Sequence, residues 1–214
     1  MNKKEAIGFT AATTVLKPVF KAWYTPKIIG KKNIPKNGSV VIACNHKHIM
    51  DQCMVICATR RPISYMAKSE YFQGNFSWFF RMTGCICVNR NGNDTEAKKC
   101  AQKVLTDGGA LGIFPEGTRN RTDKLLTDFK YGAASLACKN NALLLPVAVT
   151  GDYEIHSKTL AVRIGEPFTT ENLTPAQANE KLKTEITRLI LENLNEGYGS
   201  MDEYLKAEDL LTDP

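Results

Sequence analysis

Ser39-Val40-Val41-Ile42-Ala43-Cys44 is a continuously apolar, β-forming run that stops abruptly at Asn45-His46-Lys47-His48-Ile49-Met50-Asp51. A run of this kind predicts a strand buried on both faces, as in a parallel sheet. Five residues separate His46 from Asp51, too many for neighbours on one face of a helix. Bringing the two together needs a turn at His46 and a helix starting near Asp51. Further along, Ile63–Ala67, Cys85–Asn89, Ala110–Phe114, Leu143–Val149 and Leu160–Ile164 are short runs of the same character. Asp94–Thr106 and Lys130–Lys139 between them have helical patterning. Thr174-Pro175-Ala176-Gln177 is a capping box with Pro at the first helical position, opening a helix with Leu182, Ile186, Leu189 and Leu194 on one face. Strands separated by helices predict an α/β fold, a mostly parallel sheet flanked by helices. In such sheets the functional site lies beyond the carboxyl ends of the strands, which is where the polar motifs fall.

A histidine just past a buried strand, with a carboxylate able to accept from one ring nitrogen, forms a general base and its orienter. The same spacing serves a purely structural pair. A metal reading competes, because Cys44, His46, His48, Cys53 and Cys57 crowd together; the paired spacings of zinc sites are absent, so no metal is expected. A second polar cluster, Phe114-Pro115-Glu116-Gly117-Thr118-Arg119-Asn120-Arg121, again follows an apolar strand. Gly117 permits close backbone approach to a ligand. Thr118 offers a hydroxyl, and Arg119 a planar fork matched to phosphate or carboxylate. Arg90 follows the strand at Cys85–Asn89, and Lys68 follows Ile63–Ala67 as a further phosphate candidate. Two arginines at strand ends beside a His–Asp pair point to a phosphate site.

The chain has 214 residues, 43% hydrophobic and 23% charged, which suits one globular core without disulfides. Its net charge of +6 is unevenly spread. Through Lys68, twelve Lys and Arg face only Glu5 and Asp51, giving +10, and the remainder sums to −4. Such an asymmetry suggests an anionic partner: nucleic acid, a membrane surface or a phosphorylated substrate. The longest uncharged stretches, Ala6–Leu16 and Asn140–Gly151, are 11 and 12 residues long, short of the ~20 a spanning helix needs. No secretory signal is expected. Seven scattered cysteines suggest reduced thiols in a cytosolic protein. Pro18 predicts a break in the N-terminal helix, leaving Lys3–Lys17 and a second short piece. Leu16, Val19, Phe20 and Trp23 share an arc edged by Lys17 and Lys21, a pattern that suits a bilayer interface. A helix packed on its own domain is the alternative. Lys3, Lys4, Lys27, Lys31, Lys32 and Lys36 favour the membrane, each contributing about 1 kcal/mol near anionic lipid.

Taken in order, Asn45-His46-x4-Asp51, Gly84-x5-Arg90, Phe114-Pro115-Glu116-Gly117-Thr118-Arg119 and Leu145-Pro146-Val147 resemble the four motifs of the glycerolipid acyltransferases, most of all the bacterial 1-acyl-sn-glycerol-3-phosphate acyltransferases. The resemblance runs from about Ile28 to Pro167. The sequence departs from the family pattern at His48, usually a small polar residue, and at Cys87, often Pro. The resemblance implies a peripheral enzyme on the cytoplasmic face of the cell membrane, with an amphipathic two-helix segment over residues 1–27 and an acyltransferase α/β domain over 28–214. It implies an acyl-carrier-protein or coenzyme A thioester as donor, lysophosphatidic acid as acceptor and no cofactor. In that scheme His46 is the base and Asp51 its orienter, and the hydroxyl attacks the thioester directly. No G-x-S-x-G marks an activated serine, and Ser135 and Ser200 lack that context. Glu116, Gly117, Thr118 and Arg119 would hold the glycerophosphate, joined by Arg90. A thioester or lysophospholipid hydrolase using water on the same pair is one rival. A non-enzymatic nucleic-acid or lipid binder is another, although the basic third carries no recognisable nucleic-acid module.

Overall fold

The computed structural model describes residues 1–89 and 94–199. Seven strands form one sheet: β1 (Lys27–Ile29), β2 (Val40–Cys44), β3 (Ile63–Lys68), β4 (Ile86–Val88), β5 (Ala110–Ile113), β6 (Leu143–Thr150) and β7 (Ala161–Ile164). Their order across the sheet is β1-β7-β6-β2-β5-β3-β4. Every neighbouring pair is parallel except β6 and β7, which run antiparallel. All six strands read from the sequence are present. The three-residue β1 went unread, because Lys27-Ile28-Ile29 is too short to show a period.

Alternation along the strands divides the core between two layers of helices. Val41, Ala43, Leu111, Ile113, Leu144 and Ala148 face one layer, made of α4 (Thr95–Thr106), α5 (Gly132–Lys139) and α6 (Pro175–Asn195). Val40, Ile42, Cys44, Ile63, Leu145 and Val147 face the other, where α2 (Asp51–Ala58) contributes Met54, Val55 and Ala58. The capping box of α6 is formed in both directions between Thr174 and Gln177.

The expected break at Pro18 does not occur. Residues Lys3–Tyr24 make one continuous helix, α1, with Pro18 inside it. Pro18 has no N–H for the Thr14 carbonyl, a penalty of about 3 kcal/mol in a helix interior. Packing on both sides of the proline offsets it: Phe9 and Thr13 are buried before it and Phe20 after it, and each phenylalanine contributes about 1.5–3 kcal/mol. Gly8 lets α1 approach closely, since a Cβ there would lie 2.4 Å from the Met82 carbonyl oxygen of α3 (Ser77–Met82). The Lys17 ammonium donates to the Thr59 carbonyl at the end of α2 (2.6 Å), and burial lowers its pKa. The apolar arc is therefore divided, with Phe20 turned into the core and Leu16, Val19 and Trp23 left half-exposed. No helix among the described residues is long and apolar enough to cross a membrane.

Candidate active site

β2 ends at Cys44, and the side chain of Asn45 takes the place of the next rung of the ladder. Its amide donates to the Val149 carbonyl (2.9 Å) and its oxygen accepts from the Val149 N–H (2.8 Å). The main chain is thereby released from the sheet one residue early and turns at His46, and α2 begins at Asp51 as the spacing requires. The His46 Nδ1 lies 2.9 Å from Asp51 Oδ2. That same oxygen accepts from the backbone N–H groups of Lys47 and His48, both at 2.8 Å. A carboxylate has no proton to give, so Nδ1 carries the hydrogen and Nε2 is left with a free lone pair. The His46 side chain is 15% exposed and that of Asp51 1%. The ring of Phe114 stacks on the imidazole, with centroids 3.9 Å apart.

The second cluster meets the first through the main chain of His46. Its N–H donates to Glu116 Oε1 (2.8 Å), and its carbonyl accepts from the Asn120 N–H (2.6 Å). Glu116 Oε2 accepts from both the N–H and the hydroxyl of Thr127, at 2.9 and 2.7 Å. The resemblance places Glu116 with the acceptor, either on its glycerol hydroxyl or paired with an arginine; in the structure it lies 3% exposed, with both oxygens engaged in tying two loops together. That also accounts for a carboxylate inside a cationic motif. Gly117 turns the chain with φ +73°, and a Cβ there would come within 2.9 Å of the Lys130 side chain.

Thr118, Arg119 and Lys68 line a groove of about 870 Å³ together with His46. Arg121, quoted in the motif without a role, lines it as well. No hydrogen bond or ion pair engages the guanidinium of Arg119 or the ammonium of Lys68 among the described residues. The rest of the wall is largely apolar: Phe20 from α1, Ile56 from α2, Ile63 and Tyr65 from β3, and Phe80 from α3. Arg90 lies outside the described residues. Burial raises the thiol pKa values of the nearby cysteines, and Cys53 is pushed up to about 12. These thiols stay protonated at neutral pH, which makes them poor nucleophiles.

Sequence reasoning missed Tyr153. It lies past β6, and its hydroxyl donates to Asp51 Oδ1 (2.7 Å) across 102 residues of chain. Nothing in the local sequence marks a contact of that range.

A carboxylate-bound histidine at the end of a parallel strand, in an apolar groove whose Arg119 and Lys68 are unpaired among the described residues, is an arrangement able to take a proton from an alcohol or water beside a lipid-like anion. A family model described as acyltransferase matches residues 25–150, and the chain belongs to that family. The 1-acyl-sn-glycerol-3-phosphate acyltransferase of Bacillus subtilis is 30% identical over 183 residues, covering 83% of this chain and 90% of that one. The enzyme of the same name from Borreliella burgdorferi is 33% identical over 141 residues, 64% of this chain and 56% of that one. The crystal structure of the 1-acyl-sn-glycerophosphate acyltransferase PlsC from Thermotoga maritima has the same fold, with a TM-score of 0.69. It is 24% identical and the match covers 85% of this chain and 80% of that one.

Proposed function

We propose that this acyltransferase moves an acyl chain from a carrier-protein or coenzyme A thioester to the sn-2 hydroxyl of 1-acyl-sn-glycerol-3-phosphate, yielding phosphatidic acid. The observation that carries this reading is the groove itself, in which the base, unpaired cations and long apolar walls face one space. His46 Nε2 takes the hydroxyl proton, and the oxygen attacks the thioester carbonyl. The imidazolium is stabilised by Asp51. The tetrahedral adduct collapses by breaking the C–S bond, and the imidazolium returns its proton to the departing thiolate, leaving ester and thiol. Arg119, with Lys68, Thr118 and Arg90, holds the phosphate, while Gly117 shapes the turn and Glu116 fixes the loop carrying Arg119. The apolar walls take acyl chain.

Purified protein given lysophosphatidate and either thioester should produce phosphatidate by mass spectrometry. Free fatty acid formed at the same rate with or without the acceptor would show a hydrolase instead. Arg119→Ala should raise KM for lysophosphatidate about 10–100-fold with kcat little changed, the worth of one charge-assisted pair to phosphate. An unchanged KM would place the phosphate elsewhere.

The protein sits peripherally on the cytoplasmic face of the membrane, held by α1. Leu16, Val19 and Trp23 on α1 are exposed, as are Phe76 and Trp78 beside it, and lysines flank them. Val19→Glu with Trp23→Glu removes two apolar side chains worth about 1.5–3 kcal/mol each when buried. Flotation with anionic vesicles should then fall by more than tenfold. Undiminished flotation would rule out α1 as the anchor.

A further inference from the structure

A carboxylate turns easily about its last torsion, because the energy wells there are broad. The Lys47 and His48 N–H groups hold Asp51 Oδ2, and a hold on Oδ1 as well would restrain rotation about the line through that single anchored oxygen. The Tyr153 hydroxyl supplies that second hold at 2.7 Å, and burial beside Asp51 keeps the phenol protonated. The ring carrying this hydroxyl is fixed in turn. One face stacks on His48 (4.2 Å between centroids, 26° between planes), and Tyr24 meets it edge-on (5.7 Å, 83°). His48, where the family usually has a small polar residue, also donates its N–H to Asp51 Oδ2 and accepts the Met50 N–H at its own Nδ1 (3.3 Å). Its ring is therefore a fixed platform for Tyr153. Tyr24 is the last residue of α1. The loop bearing Tyr153 is pinned to that end of the helix by the His156 N–H to the Trp23 carbonyl (2.8 Å) and the Thr25 hydroxyl to the Ser157 carbonyl (3.3 Å).

We propose that Tyr153 is a positioning residue for acyl transfer, fixing the Asp51 carboxylate against His46, and that the seat of α1 sets it through Tyr24. A hydrogen bond to a charged oxygen is the stronger kind, and here it restrains the group that aligns the base. Docking α1 on the body and aligning the catalytic pair are thus one event. The proposal rests on His46 and Asp51 being that pair, so His46→Ala is assayed alongside. Wild-type turnover in His46→Ala would remove the premise, whereas its loss leaves the Tyr153 result to be judged alone.

Full-length Tyr153→Phe keeps the ring contacts and loses only the hydroxyl. Its kcat with lysophosphatidate and acyl thioester should fall about tenfold, with KM for both substrates within about twofold. The low-field proton resonance of the His46–Asp51 hydrogen bond should broaden or shift. Tyr24→Ala keeps the hydroxyl but removes the edge contact, and its kcat should fall about threefold. The double variant should be no slower than Tyr153→Phe, because both changes act through one contact. Should Tyr153→Phe fail to fold, Tyr24→Ala carries the same kcat and resonance readings. A kcat within twofold of wild type, or a KM rising as kcat falls, overturns the positioning role. Additive losses in the double variant overturn the link to α1.

Discussion

Replacing His46 with Ala should lower kcat for acyl transfer about 10²–10⁴-fold, the usual contribution of a positioned general base. That equals about 2.7–5.5 kcal/mol of transition-state stabilisation. The size follows from the geometry. The ring is locked by Asp51 at Nδ1 (2.9 Å) and by Phe114 on its face, so Nε2 faces the groove without an ordering cost at each turnover. The imidazole holds no phosphate, so KM for lysophosphatidate should stay within a few-fold. Steady-state assays of purified protein decide this. A variant retaining activity within a few-fold of wild type would mean that some other group takes the proton.

Asp51→Ala should be nearly as damaging to turnover and more damaging to stability. Asp51 is 1% exposed and accepts four hydrogen bonds, from His46, Lys47, His48 and Tyr153. Alanine leaves those donors without acceptors, each a loss of about 1–3 kcal/mol where water cannot replace the partner. The expected result is a fall in kcat of about 10²–10⁴-fold and a fall in stability of about 2–5 kcal/mol, measurable in a urea titration. Asp51→Asn separates the two contributions. Its amide oxygen can occupy the Oδ2 position and its NH₂ can donate to Tyr153, whose hydroxyl can also accept. The fold and ring tautomer then survive while the negative charge beside the imidazolium is lost. Turnover should fall about 10–100-fold for the lost charge-assisted bond, with near-native stability. If Asn matched wild type in turnover, Asp51 would be a positional prop with no electrostatic part. The two alanine changes should not add in the double variant, since base and orienter act as a unit.

The legible part of this molecule was its local part. The strand ending at Cys44, the turn at His46, the helix start at Asp51 and the capping box at Thr174 each follow from a few adjacent residues, and each stands in the structure. What escaped the sequence depends on partners far along the chain. Tyr153 reaches Asp51 from 102 residues away, and Glu116 reaches the His46 amide from 70. Glu116 carried a recognisable motif but not its direction: the carboxylate turns inward to two loops because their donors are buried with it. Pro18 misled for a similar reason. The local cost of a proline is real, but Phe9 and Phe20 are buried on either side of it, and that packing cannot be seen from the proline outward. The strand at Lys27–Ile29 escaped simply because three residues show no period.

The two ties that join the motif loops use only main-chain groups of His46, its N–H to Glu116 and its carbonyl to the Asn120 N–H. Neither needs the imidazole. The slowed His46→Ala protein should therefore keep an intact cradle with its proton acceptor deleted, in which bound donor is consumed about 10²–10⁴-fold more slowly than in wild type. That makes it a bait: the thioester that copurifies with it from its own cells identifies, by mass, the carrier and chain length that the living enzyme is given.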